Sequence, residues 1–420
     1  MIAEVLATGD EIRSGALVDS NSAYIAQELE TAGVEVVRHS CVGDDPESIV
    51  SILREIASRS DLAVVTGGLG PTDDDLTTAA AARAADVEVV LDPQALDSVE
   101  AFFKTRKLPM TPSNKKQALM PAGASWILNT VGTAPGFQLK IGRCEFFCLP
   151  GVPFEMRKML ANEVIPRLMQ LQGKDSSVRT VKTLATFGLT ESATAGKLSG
   201  FEDRFPRIKL GFRAKFPEIH VRLYGQGADE NQVLSQLEKA EGWVTQQLGD
   251  KIFSPRGESL EQVVGDLLRT RNETLAVAES CTGGLIADLV TDVPGSSEYF
   301  LLSTVTYANV AKIKILGVAS GTLDQYGAVS EETAREMARG VQRVSGATYG
   351  LATSGIAGPG GATDGKPVGT VCIGLATSDS VSGRCYHFAF DNRRMNKRIF
   401  AATALELLRR ELLTTAINIQ

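Results

Sequence analysis

Three loops near the end of the 420-residue chain carry side chains suited to acyl-transfer chemistry. The first, Glu279-Ser280-Cys281-Thr282-Gly283-Gly284, follows an apolar run, Thr274–Ala278, and precedes a helical pattern opening at Leu285. A hydroxyl or thiol at a strand end beside a helix N-terminus meets free N–H groups and the positive end of the helix dipole, which favour developing negative charge. The plain structural alternative is a Ser/Thr cap on a glycine-rich turn, and this stretch alone does not choose between them. A second strand, Leu301–Thr306, leads into Tyr307-Ala308-Asn309, with Asn309 expected to cap a helix that carries Lys312 in its first turn. The dipole disfavours a cation there and so helps a neutral amine act as a base. A third strand, Thr348–Ala352, opens into Thr353–Gly361, whose bare backbone is suited to surround a phosphate. A tight turn is the ordinary reading of any one such loop. In a parallel sheet all three lie at the strands' carboxyl ends, so Lys312 and Tyr307 are expected to approach Ser280.

A second constellation lies near the start of the chain. Leu62–Thr66 reads as a buried strand running into Gly67, Gly68, Gly70 and Thr72, a loop through which a phosphate can approach the backbone. Asp10, Glu11, Asp74 and Asp75 are oxygen ligands suited to a hard divalent cation, and acids beside a glycine loop fit metal-assisted attack on a pyrophosphate. Alternatively Asp10 and Glu11 are first-turn charges, and Asp73 to Asp75 complement the dipole of the next helix.

The elements that must position these groups follow from composition and pattern. At 43% hydrophobic and 22% charged, the chain is globular, and long disordered or fibrous tracts are excluded. At roughly 100–200 residues per domain its length predicts two to four domains. A net charge of −7 gives no chain-wide pull toward nucleic acid or an anionic membrane, although a local basic site stays open. No signal peptide is readable at Met1–Glu11, and the uncharged run Val344–Thr363 is broken by glycines and Pro359, as strand plus loop. Six scattered cysteines and three histidines lack metal-type spacing, so a reduced, cytoplasmic protein without structural zinc is expected.

Strand and helix alternate over the first 70 residues: Ile2–Thr8, a helix over Ala23–Ala32 ended by Gly33, Val34–Val42, a helix opened by Asp45-Pro46, and Leu62–Thr66. This βαβαβ order predicts a parallel sheet. Cys144–Leu149 reads as a further strand, and a helix over Phe154–Leu171 closes the first domain. After a polar break, Gly173–Ser177, short strands near 180–187, 207–212 and 219–223 surround a helix near 190–199. A second break, Ser254–Gly257, precedes an amphipathic helix over Ser259–Arg271 and another alternating α/β segment.

The last of these segments is similar to the C-terminal domain of the CinA family, through Glu279–Gly284, Thr306-Tyr-Ala-Asn-Val-Ala-Lys312 and Ser354–Pro359. That resemblance, which runs along essentially the whole chain, implies an amidase acting on nicotinamide mononucleotide (NMN). It makes Ser280 the nucleophile, Lys312 its base and Tyr307 an assistant, with Thr282, Gly283, Gly284, Asn309, Ser354, Gly355 and Gly358 at the substrate and no cofactor. Ser354 stands where many relatives carry threonine. Arg393 and Arg394 fall where the family has a phosphate-binding arginine, in a local pattern that departs from the usual Gly-Asp-Arg.

The first domain resembles the molybdopterin-binding fold, through Thr8-Gly-Asp-Glu11, Asp19-Ser-Asn21, Thr66–Thr72, Asp74–Thr77, Gly132–Gly136 and Pro150–Pro153. This implies ADP-ribose pyrophosphatase activity with potassium and a divalent metal (magnesium, manganese or cobalt), Asp75 being catalytic as well as a ligand, and Asn21 and the Gly67–Thr72 loop at the substrate. The middle segment resembles a KH-type module, but no clear GXXG loop lies between 175 and 252, so a spacer or dimer contact is expected in place of nucleic-acid binding. The expectation is therefore two parallel-sheet three-layer α/β domains, 1–172 and 255–420, joined by a small α+β (KH-type) module, 173–254. In function it is a cytoplasmic, homodimeric, bifunctional enzyme of pyridine-nucleotide salvage. The rivals are a regulatory or scaffold protein of DNA uptake and a pterin-binding protein of molybdenum-cofactor type.

Overall fold

The computed structural model describes residues 1–172 and 178–417; the polar break at 173–177, and the domain limit expected there, lie outside the described residues. The chain divides into two compact units, Met1–Val181 with Gly225–Gln236, and Lys182–Tyr224 with Leu237 onward. No described helix is long and apolar enough to cross a membrane.

The first unit is built on strands β1 (Ile2–Thr8), β2 (Glu35–Val42), β3 (Leu62–Thr66), β4 (Val89–Leu91), β5 (Leu119–Pro121), β6 (Ser125–Ile127), β7 (Gly136–Ile141) and β8 (Cys144–Leu149). The main sheet runs β2-β1-β3-β8-β7-β6, while β4 and β5 pair separately. Its first four strands are parallel, as the alternation predicts, and β7 and β6 extend them in antiparallel fashion. Side-chain alternation along each strand feeds two cores. Leu6, Ala63 and Val65 pack under the helices Pro46–Arg59 and Thr77–Ala84, whereas Val5, Leu62 and Val64 meet Ser20–Thr31 and Pro153–Met159 on the other face. Helix Ser20–Thr31 starts before the expected Ala23, because the Asp19 carboxylate accepts the Ser22 N–H at 2.9 Å and caps it. Asp45 does the same for Ser48 at 2.8 Å.

Strand β9 (Val178–Phe187) begins in the first unit and ends in the second; with β10 (Ile208–Lys215), β11 (Glu218–Gly227) and β12 (Ile252–Ser254) it forms a sheet ordered β10-β11-β9-β12. The short helix expected near 190–199 spans Glu191–Lys197.

The rest of the second unit carries β13 (Leu275–Glu279), β14 (Phe300–Val305), β15 (Tyr349–Gly355), β16 (Thr370–Ala376) and β17 (Val381–His387), ordered β14-β13-β15-β16-β17. β14, β13 and β15 are parallel, so the loops after them share one edge of the sheet; β16 and β17 are antiparallel. Again two cores form. Leu275, Val277 and Leu351 pack with Phe400, Leu405 and Leu408, and the small Ala276, Ala278 and Ala352 let Met337, Ala338 and Val341 lie close on the other side. The expectation of wholly reduced cysteines fails at one place. Cys372 and Cys385 are directly opposite one another in the β16–β17 register and form a disulfide, with their Cα atoms 4.0 Å apart.

Candidate active site

β13 is buried along its whole length and delivers Ser280 to the sheet edge, where the residue is 8% exposed. The Ser280 N–H is fixed by the Thr353 carbonyl at 3.0 Å, which ties the first loop to the third. From the second loop comes Lys312, 1% exposed, whose Nζ lies 3.2 Å from Ser280 Oγ, 2.8 Å from the Thr306 carbonyl and 3.0 Å from the Tyr307 carbonyl. Burial holds this amine below its ordinary pKa, since an ammonium there gives up hydration for neutral partners. Two carbonyls take two N–H bonds; a neutral amine so placed turns its lone pair toward the Ser280 hydroxyl. Lys312 opens a wider π turn, Lys312–Leu316, after a single α turn, Asn309–Ala311. Asn309 is therefore not the cap that the sequence suggests: Ala308 occupies that position, and Asn309 is an exposed first-turn residue. Cys281 is buried beside the apolar core, and burial pushes its thiol up to about 12, which suits packing and not nucleophilic attack.

The helix after the first loop does not offer its N-terminus to substrate. Glu279, fully buried, accepts the N–H groups of Gly284 at 2.9 Å, Ile286 at 3.2 Å and Ala287 at 2.9 Å, so its carboxylate already sits at the positive end of Leu285–Thr291. A developing oxyanion must find other donors. Two hydroxyls expected at the substrate are likewise turned inward: Thr282 bonds Thr353 through Oγ1 atoms 2.8 Å apart, and Ser354 donates to the Ala328 carbonyl at 2.6 Å. Gly283 and Gly284 remain in the loop with positive φ, as its tight reversal requires. Gly355 has no room for a side chain, because a Cβ there would lie 2.5 Å from the Thr370 carbonyl.

Of the two arginines, Arg393 joins the site. It donates to the Gly358 carbonyl at 2.6 Å and to the Tyr307 hydroxyl at 3.2 Å, spanning the second and third loops. Arg394 lines a different cavity. Asn396, which the sequence reading did not single out, holds the third loop in place through the Ala357 and Phe390 carbonyls, at 3.1 and 2.8 Å.

In the first unit a cavity of about 380 Å³ lies at the β1 and β3 carboxyl ends, lined by Gly67, Gly68, Gly70 and Asn21 together with Glu11, Asp74 and Asp75. Asn21 donates to Thr66 Oγ1 at 3.1 Å and to the Gly151 carbonyl at 2.8 Å, and its buried Oδ1 has no protein partner. The expected four-carboxylate metal cluster does not form. Asp10 turns to Arg13 at 2.9 Å and does not line the cavity, and Asp75 folds back to accept the Thr72 N–H at 2.8 Å and its hydroxyl at 2.6 Å. Among the described residues no three His, Cys, Asp or Glu side chains group as a metal centre, so the donor set by itself does not fit a resident cation. Two carboxylates the sequence reading passed over, Asp44 and Glu155, also line the cavity, and burial raises both. Glu155 lies just past Pro150–Pro153, with only Phe154 between, and that proximity is the signal for it.

With this geometry established, comparison with known proteins adds three matches along the chain: residues 4–170 to the probable molybdopterin binding domain, 181–254 to the KH domain of damage-inducible protein CinA, and 257–412 to the CinA C-terminal domain. A CinA-like protein of Desulfosudis oleivorans is 54% identical over 98% of this chain and 100% of its own length. Another, from Desulforapulum autotrophicum, is 47% identical over 98% of both. Among solved structures, competence/damage inducible protein CihA from Agrobacterium tumefaciens is 36% identical over 37% of this chain and 96% of its own, with a TM-score of 0.35.

Proposed function

The chain belongs to the CinA family, and from that premise we propose that its C-terminal segment hydrolyses the carboxamide of NMN to nicotinate mononucleotide and ammonia. The observation that carries this reading is the Lys312–Ser280 contact at 3.2 Å, with the lysine buried and bonded otherwise only to carbonyls. Ser280 Oγ attacks the carboxamide carbon while its proton passes to Lys312 Nζ. The lysine then hands that proton to the departing nitrogen, which leaves as ammonia. A water, deprotonated in turn by Lys312, attacks the acyl-serine, and the C–O bond to Ser280 breaks as Lys312 returns that proton to Ser280 Oγ, releasing the acid and restoring the neutral amine. Arg393 is the proposed partner of the phosphate, a reading supported by its bonds to the Gly358 carbonyl and the Tyr307 hydroxyl, which bring its guanidinium to the site.

The test is ammonia release from NMN by the full chain. Ser280→Ala is expected to be inactive and Cys281→Ala to keep most of the turnover. A dead cysteine variant beside an active serine variant overturns the assignment.

We propose hydrolysis of ADP-ribose to AMP and ribose 5-phosphate as a second activity, in the first unit. Its support is the cavity beside the Gly67–Gly70 loop and the unpartnered Asn21 Oδ1, an acceptor for a sugar hydroxyl. The divalent cation expected for it would have to be held by one or two cavity carboxylates together with the substrate's own phosphates. A homodimer completes the proposal; the cytoplasmic location expected from scattered, reduced cysteines has the Cys372–Cys385 disulfide against it. Half-exposed Leu301, Val305 and Val310, on the edge strand β14 and the turn beyond it, support self-association, which sedimentation tests.

A further inference from the structure

The second unit holds another cavity, of about 560 Å³, which contains none of Ser280, Lys312 or Tyr307. One wall is apolar: Phe216 and Pro217 at the β10–β11 turn, Leu285 and Leu289 on the helix after the nucleophile loop, and Leu405 on the last helix. Phe216 is braced from behind by Phe390, edge to face with ring centres 5.2 Å apart, so this wall is preformed. Arg394, Lys397 and Arg398 also line it, at positions i, i+3 and i+4 of the helix Arg393–Ile417 and therefore on one face of it, while Lys215 and Glu218 in the same lining pair with each other at 3.8 Å. Among the described residues no ion pair joins any of the three to a carboxylate. Three neighbouring cations repel one another, and an anion between them removes that cost.

Glu261 and Asp288 also line the cavity, and neither is drawn into an ion pair with these arginines or the lysine. A simple phosphate would gain nothing from them. A sugar would, because carboxylates accept hydrogen bonds from vicinal ribose hydroxyls. We infer that this cavity is a second, non-catalytic nucleotide site, which takes a ribonucleoside monophosphate. Arg394, Lys397 and Arg398 hold the phosphate, Glu261 and Asp288 meet the ribose, and the base lies against Phe216, Leu285 and Leu289. The volume falls within the range of small-ligand sites, and an apolar wall with a few polar groups is their usual lining. One lining residue reaches the nucleophile loop: Lys397 Nζ lies 3.3 Å from where a Cβ on Gly283 would be.

The experiment is calorimetry on the full chain with AMP, adenosine and ribose 5-phosphate, followed by photolabelling with azido-AMP and peptide mapping. AMP is expected to bind at least about tenfold more tightly than either fragment, and the double variant Arg394→Ala/Arg398→Ala to lose about tenfold in affinity. Leu289→Trp, which fills the apolar wall and leaves the charges in place, is expected to block binding with an unchanged circular dichroism spectrum. The label is expected on the peptide containing Phe216 or on the helix containing Leu289. AMP binding weaker than about 1 mM overturns the inference. AMP affinity unchanged in both variants, or label confined to other peptides, overturns it too; ribose 5-phosphate or AMP binding that is the same in wild type and both variants is assigned to the first-unit cavity, whose proposed products they are. The readout is binding, so it stands or falls independently of the proposed deamidation.

Discussion

Arg393 and Tyr307 lie 86 residues apart in the chain and meet at 3.2 Å, guanidinium to phenol, closing the second loop of the candidate amidase site onto the third. A phenol is a neutral acceptor, so the guanidinium keeps its full charge for an incoming phosphate. Arg393→Ala is expected to raise the KM for NMN by about ten- to a hundred-fold, with a smaller fall in kcat, since the phosphate is bound alike in ground and transition states. Steady-state kinetics check this; a loss confined to kcat would place Arg393 at the reacting carboxamide instead.

Lys312→Arg is expected to be nearly as damaging as Lys312→Ala, each lowering kcat by about a hundred- to ten-thousand-fold. Arginine keeps the charge but does not release a proton near neutral pH. Substantial turnover by the arginine variant would make Lys312 an electrostatic anchor.

The buried amine also sets two pH dependences. The reactive form is the neutral one, so kcat/KM is expected to rise with pH through an apparent pKa below the ordinary lysine value of 10.5. Between those two values the unfolded chain binds one proton more at this position than the folded one, so stability rises with pH across that window. Lys312→Met removes the titration, and the wild-type protein is expected to gain on it as pH is raised toward 10.5. Urea unfolding of both at several pH values measures the gap; a gap that stays constant shows that the amine is charged when folded.

Glu279→Gln exchanges one of two acceptor oxygens for a donor facing backbone N–H groups. The variant is expected to lose about 1–3 kcal/mol of stability, read from urea unfolding. It is also expected to disturb Ser280, since the two are consecutive. An unchanged midpoint would mean that the helix start rearranges without it.

Much of this site was legible because it follows from chain order. A strand running into a polar loop recurs three times, with a helix after the first two, so Ser280, Lys312 and the Ser354–Gly358 loop had to share one sheet edge. What each side chain does there was less legible. Glu279 reads as part of the motif, yet its role depends on the Gly283-Gly284 turn bringing the helix start back to it, and Thr282 and Ser354 look like ligands until their inward partners, Thr353 and Ala328, are known. In the first unit the acid pattern suggested a metal, but Arg13, one helical turn beyond Asp10, captures that carboxylate. The Cys372–Cys385 pair needed the register of an antiparallel hairpin, which 13 residues of separation do not specify.

That pair makes a countable prediction. Denatured without reductant, the protein is expected to expose the four thiols of Cys41, Cys144, Cys148 and Cys281, and all six cysteines after reduction. In the native state only Cys41 is exposed among the free ones. Six thiols before reduction would show the bond to be absent.

The two partners of the proposed dyad hang from strands of unequal security. Ser280 leaves β13, interior to its sheet and buried throughout, whereas the carbonyls that steady Lys312 follow β14, which lies at the sheet's rim and is nowhere fully covered. Brief fraying of that rim would carry base from nucleophile while the rest of the fold stays intact. At concentrations where sedimentation shows the single chain, gentle heating is therefore expected to end the chemistry before the helical signal falls, and amide hydrogens of β14 to exchange earlier than those of β13.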